Sequence, residues 1–343
     1  MSERAKVLVI AEAGVNHNGE LELAHRLVDI AADAGADLVK FQTFKASSLV
    51  TPTARIAEYQ KKLAEENLGA SASNTQWELL RKLELGERDH ESIIEHCQVR
   101  GIGFLSTAFD LESLQYLAGL ELPLFKIPSG EITNLPYLRK VASYGRETIL
   151  STGMATLGEV EAAINAMELA GLPREKITVL QCTTEYPAPI EEVNLLAMRT
   201  MGAAFGVKIG YSDHTEGIEV ALAAVAMGAS VIEKHFTIDR HLPGPDHMAS
   251  LEPDELMNMV QSIRRVQKAL GSSIKKRTRS EEANLLLVRK SIVAARTIKK
   301  GELFSEENLI AKRPASGLSP MTWDELIGKT APKSFEPDEV IQL

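Results

Sequence analysis

The sequence of 343 residues has only two cysteines, Cys97 and Cys182, far apart and in no metal-ligand spacing. A disulfide scaffold is excluded, and a reducing compartment is expected. A net positive charge is also lacking: the formal net charge is −9, which argues against a nucleic-acid partner, since such proteins need a basic face. Long apolar runs are missing. The run Val7 to Ile10 is too short for the core of a secretory leader, and no window approaches a membrane span. A cytoplasmic protein without a membrane partner is expected. The first apolar run leads into "EAGVNHNG", which is not the G-x-G-x-x-G turn of a dinucleotide-binding sheet.

What is present is ordinary globular material, 44% hydrophobic and 25% charged, which excludes wholesale disorder. Short β-rich runs alternate with amphipathic stretches, the pattern of parallel βαβ units. Strands are expected at 7–12, 37–43, 103–109, 124–129, 148–152, 177–183, 207–213 and 230–236, with helical patterns at 22–35, 112–120, 157–171 and 217–228. Eight strands closing near residue 270 match the roughly 250 residues of a TIM barrel. The fold class is therefore α/β, a (β/α)8 barrel over 1–270. A polar linker is expected at 271–287 and a small β-rich domain at 288–343. The long link 44–88 predicts helices around a polar turn, able to act as a lid.

Polar side chains gather at one end of these strands. Glu12, Lys40, Thr107, Lys126, Ser129, Ser151, Ser212, His214, Glu233 and His235 all fall at or just past a strand's C-terminal end. A TIM barrel builds its active site on that face. In "SVIEKHF", side-chain alternation turns Glu233 and His235 one way and Lys234 the other. Ser212 and His214 share a side on the preceding strand. With strands about 4.8 Å apart, His214 and His235 can converge on one ion, and two imidazoles with open positions suit Mn, Fe, Co or Zn. Hydrogen-bonded strand-end histidines are the alternative, and the neighbouring Glu233 weighs against it. Lys40 and Lys126, among the hydroxyls of Thr107, Ser129, Ser151 and Ser212, make an anion site for phosphate or carboxylate. A Schiff-base lysine is the competing reading. Glu12, Glu131 and Glu233 offer carboxylates for hydroxyl binding or proton transfer. Asp246 follows the stiff "PGP" loop, and "NHNG" (16–19) reads as a turn without chemistry.

The segments "AEAGVNHNG", "VKFQTFKA", "KIPSGEITNLPYLRK", "CTTEYPAP", "GYSDHT", "IEKHFT" and "GPDHMASLEPDEL" together resemble the N-acetylneuraminate (sialic acid) synthase family, which includes N,N'-diacetyllegionaminate synthases. The tail "RKSIVA…IKKGELFSEENL…KRPASG" is similar to that family's antifreeze-like (SAF) domain.

The resemblance implies an enzyme that joins phosphoenolpyruvate to an open-chain N-acetylated mannosamine-type sugar, giving a nine-carbon 2-keto acid and phosphate. It places Lys40, Thr107, Lys126, Ser129, Ser151 and Ser212 on phosphoenolpyruvate. Gln42, Tyr186, Asp246 and Arg313 fall to the sugar. Glu12, Glu131, Glu233 and Lys126 fall to catalysis, and His214 and His235 to a divalent metal, Mn2+ before Mg2+ or Co2+. Arg313 is implied to reach the partner's active site in a domain-exchanged homodimer. The chain departs from the family pattern at Ala108, at Thr183-Thr184 and at Ala315-Ser316. A sialic-type lysine aldolase is the alternative activity, and a binding module on an inactive barrel is the non-enzymatic one.

Overall fold

Consecutive strands joined through amphipathic helices pair in parallel, because each helix must return over the sheet. The computed structural model, which describes residues 5–54 and 75–343, has this arrangement. The strands are β1 Leu8–Gly14, β2 Leu38–Thr43, β3 Gly103–Ala108, β4 Leu124–Ile127, β5 Glu147–Ser151, β6 Ile177–Cys182, β7 Lys208–Asp213 and β8 Val231–His235. They run in the order β3-β2-β1-β8-β7-β6-β5-β4, and the two ends of that series, β3 and β4, pack together. The result is a nearly closed eight-stranded TIM barrel. Residues 55–74 of the expected lid lie outside the described residues; the rest includes the helices Ala46–Leu49 and Gln76–Lys82.

The helix layer follows from local sequence. Thr156 and Glu159 form a reciprocal capping box, Glu159 accepting from the Thr156 amide at 2.7 Å and the Thr156 hydroxyl accepting from the Glu159 amide at 3.3 Å. The helix Leu157–Leu169 so begun buries Val160, Ala163, Ile164 and Met167, one helical face. Three crossover helices were not singled out from the sequence: Glu87–Arg100, Leu135–Ser143 and Leu196–Phe205. In the first, the buried stripe is His90, Ile93 and Cys97, so its pattern is only weakly apolar. In the last, Gly202 lets β7 approach, since a Cβ there would stand 2.8 Å from Ile209 Cγ2.

The chain divides into two compact units, 1–271 and 272–343. Within the stretch expected to be a linker, Thr278 accepts at its carbonyl from the Glu281 amide while its own amide donates to Glu281 Oε2, and the helix Arg279–Val288 follows. Strands β9 Ser291–Ala294 and β10 Leu309–Lys312 are antiparallel. Despite its length this unit has a core of its own, built from Ile292, Ile298, Phe304, Leu309, Leu326, Phe335 and Ile341 with two alanines.

Candidate active site

The inward-facing residues at the C-terminal ends of the strands are not apolar, although they are buried. Register brings them together: Glu12 of β1 is the Cα partner of Lys40 on β2 and of His235 on β8, and Ser212 of β7 is that of Glu233. Lys40 Nζ lies 2.9 Å from Glu12 Oε2, 3.7 Å from Glu233 Oε2 and 2.7 Å from Thr107 Oγ1. Lys126 Nζ stands 3.2 Å from Glu233 Oε1, which also accepts from Ser212 Oγ at 2.9 Å. Gln42 Nε2 reaches Glu12 Oε1 at 3.5 Å. Two lysines and two carboxylates thus share one buried mouth.

Their environments separate the two carboxylates. Burial, with the nearby Glu233 charge, pushes Glu12 up to about 7 against the pull of Lys40. For Glu233, burial acts the same way but is outweighed by Lys126 and Lys40, which hold it down at about 2. One carboxylate is therefore poised to carry a proton near neutrality while the other stays ionised, the division of labour that acid–base sites use. Burial also lowers Lys126, with Glu233 opposing it.

Beside this cluster stand three rings. The His214 and His235 centroids are 5.6 Å apart, and Tyr186 lies 4.1 Å from His214 and 5.6 Å from His235. His214 Nδ1 donates to the Thr183 carbonyl at 2.6 Å, which leaves Nε2 as a lone-pair ligand in the manner of metal-bound histidines. His235 Nδ1 is buried and has no hydrogen-bond partner among the described residues. A neutral imidazole with an orphaned buried nitrogen, facing a second with a fixed tautomer, fits a divalent cation. Gly14, at φ +55°, keeps this region open: a Cβ there would meet His235 Cε1 at 3.2 Å. Elsewhere the exposed side chains of Asp239 and His241 and the half-buried Glu252 also bring ligand atoms within 4.8 Å of one another. His241 and Asp239 are already hydrogen-bonded together there.

The remaining expected residues are placed less uniformly. Ser129 Oγ accepts from the Gly153 amide at 2.9 Å and contacts Cys182 Sγ. Ser151 Oγ is buried without a hydrogen-bond partner among the described residues. Glu131 closes a short 3-10 turn and accepts from Asn134 Nδ2 at 2.5 Å, with burial raising it. Asp246 is raised to about 6 by burial and lies beside Gly14. Arg313 is exposed on the second unit. Cys182 was missed by sequence reasoning; its thiol lies 3.8 Å from His214 Nδ1, and its place on the inner face of β6 was the available signal. A cavity of about 690 Å³ touches this region at Cys182 and Thr184 but shares none of the lysines or carboxylates of the cluster.

The chain matches the NeuB family over residues 27–275 and the SAF domain over 289–343. It is 54% identical over 337 residues to the N,N'-diacetyllegionaminic acid synthase of Campylobacter jejuni, covering 98% of this chain and 99% of that one. The N,N'-diacetyllegionaminic acid synthase of Legionella pneumophila is 49% identical over 93% of this chain and 89% of its own. Among solved structures, the N-acetylneuraminic acid synthetase of Leptospira borgpetersenii, in complex with citrate, superposes with a TM-score of 0.69 at 35% identity, covering 82% of this chain and 90% of that one.

Proposed function

The chain belongs to the NeuB family, and from that premise we propose that it condenses phosphoenolpyruvate with 2,4-diacetamido-2,4,6-trideoxymannose to give N,N'-diacetyllegionaminate and phosphate. The observation that carries the choice of sugar is the near full-length identity to the Campylobacter jejuni synthase. The likeness to the Leptospira synthetase supports a second reading, N-acetylneuraminate from N-acetylmannosamine.

In this reading Lys40 and Lys126 draw in the phosphate and carboxylate of phosphoenolpyruvate. Hydroxyls of Thr107, Ser129, Ser151 and Ser212 supply directional hydrogen bonds. Glu12 and Glu233 contact Lys40 and Lys126 at 2.9 and 3.2 Å, which keeps both lysines at the mouth before the anion arrives. Gln42, Tyr186, Asp246, Glu131 and a partner subunit's copy of the second unit, through its Arg313 position, orient the sugar. The homodimer belongs to this proposal. His214 and His235 would hold a divalent ion, Mn2+ above Mg2+ or Co2+, whose contribution is Lewis-acid polarisation of the sugar aldehyde. The methylene carbon of phosphoenolpyruvate bonds to the aldehyde carbon, water adds at the former enol carbon, and phosphate departs with its bridging oxygen. Glu12 is suited to hold or release a proton as this happens, and Glu233 to stay anionic beside it.

The test is phosphate release from phosphoenolpyruvate plus Mn2+, with each sugar supplied separately. Release with the diacetamido sugar supports the proposal, release with N-acetylmannosamine alone selects the second reading, and none with either refutes both. Burial lowers Lys126, a property that a Schiff-base lysine would also show. Borohydride trapping separates that aldolase from a synthase, which forms no lysine adduct and loses activity in chelator.

A further inference from the structure

Asp213 and Lys234 are Cα partners across β7 and β8, and each is followed directly by one of the paired histidines. Both side chains are 0% exposed, with Lys234 Nζ 2.9 Å from Asp213 Oδ2. Lys234 Nζ also donates to the Thr215 carbonyl at 2.5 Å. Asp213 Oδ1 accepts from the Thr215 amide at 2.9 Å and from Thr215 Oγ1 at 2.7 Å. The residues on both sides of His214 and the residue before His235 are therefore closed into one buried network. It lies on the opposite face of β8 from Glu233 and His235, toward the carboxylates of Glu219 and Glu255, and so does not face the proposed substrates.

Stability alone is a weak reason for such a pair, because apolar residues of similar volume often serve a buried position equally well. What the network supplies, through its bonds to Thr215, is direction. Charge-assisted hydrogen bonds have a narrow geometry, and here they tie the backbone of the 213–215 turn to β8. A two-histidine site depends on how accurately its two rings are set, since shells behind the ligands hold them to within about 0.5 Å.

We infer that the Asp213–Lys234–Thr215 network is a positioning clamp that fixes His214 and His235 relative to each other for a divalent cation. The inference rests on the metal reading proposed above. Asp213, Lys234 and Thr215 act through the histidines and do not touch substrate.

The test uses Thr215→Val, which deletes one hydroxyl at nearly constant shape, and the double variant Asp213→Leu/Lys234→Met, which exchanges the pair for apolar side chains. Mn2+ binding to the full-length protein is read by electron paramagnetic resonance, beside the unfolding temperature of the metal-free protein. Both variants are expected to bind Mn2+ about 10- to 100-fold more weakly, the usual effect of losing a support behind a metal ligand, at temperatures where they remain folded. A merely structural role would shift the unfolding temperature and leave the affinity alone. An Mn2+ affinity of Thr215→Val within twofold of wild type overturns the clamp, and this variant decides if the double variant does not fold. Wild-type protein that binds no Mn2+, or binds it unchanged in His235→Ala, overturns the metal reading first and the clamp with it.

Discussion

Gly14 turns its bare Cα toward the ring of His235, so that a Cβ there would stand 3.2 Å from Cε1, 3.3 Å from Nδ1 and 3.4 Å from Asp246 Oδ2. The same residue sits at φ +55°, where a side chain costs roughly 1–2 kcal/mol. Gly14→Ala is expected to lower the unfolding temperature by a few degrees at most. Its Mn2+ affinity should fall by about tenfold, because the ring must shift to make room. Calorimetric melting and Mn2+ titration of the same preparation check both; an unchanged affinity removes Gly14 from any account of the histidine pair.

Lys126 and Glu233 make a buried pair at 3.2 Å. Removing Lys126 leaves Lys40 alone between two buried carboxylates, Glu12 and Glu233, in a site from which water is largely excluded. Lys126→Met should destabilise the barrel by about 3 kcal/mol. Neutralising that second carboxylate in Lys126→Met/Glu233→Gln should restore most of it, leaving Glu12 and Lys40 paired at 2.9 Å. Urea denaturation of the single and double variants measures the difference. Equal losses in the two would show that the charge was never stranded.

Part of the acid sensitivity should come from two buried histidines outside the proposed metal pair. Burial holds His17 and His247 down at about 4, against an ordinary value of 6.5. Above pH 6.5 both folded and unfolded chains carry these rings neutral, and they do not affect stability. As pH falls through 6.5 the unfolded chain takes up protons that the folded one refuses, so stability is lost until about pH 4. The loss is roughly 3 kcal/mol for each ring over that window. Denaturation midpoints between pH 7 and 4.5 should therefore drop more steeply in wild type than in His17→Gln; parallel curves would exclude His17 as a source.

Arg313 is exposed, just beyond β10. Its proposed work is on the sugar of a partner subunit, so Arg313→Ala should leave the unfolding temperature unchanged. The KM for the sugar should rise about 10- to 100-fold, the worth of one charge-assisted hydrogen bond, while the KM for phosphoenolpyruvate stays within twofold. Steady-state kinetics with each substrate varied in turn would show it, and a rise in both KM values would contradict the assignment.

Much of the barrel was legible because strands buried on both faces read as continuous β-rich runs, and polar intrusions such as Lys40 in "DLVKFQT" or Lys126 in "LFKIPS" mark where a run reaches the mouth. Each strand ends within two residues of its expected limits. The helix Glu87–Arg100 escaped because its core contacts are a histidine, an isoleucine and a cysteine, which leave a faint period. The pairing of Glu12 with Lys40 but of Lys126 with Glu233 was not legible either. It depends on strand register and side-chain reach, which no local pattern encodes. Thr215 likewise drew no notice, since a hydroxyl bonded to the aspartate two residues before it and a carbonyl bonded across to Lys234 leave no local pattern.

The alternation along β8 has a consequence for how this enzyme can change. Inserting or deleting a single residue within Val231–His235 would exchange the two faces of the strand, sending a lysine into the mouth and a histidine against the helices. Length variation is therefore forbidden in the strand while remaining open to the loops that follow it. Any lineage or laboratory library that retunes the accepted sugar would have to do so by substitution at the strand ends or by reshaping loops such as 236–252, with β8 itself kept at constant length.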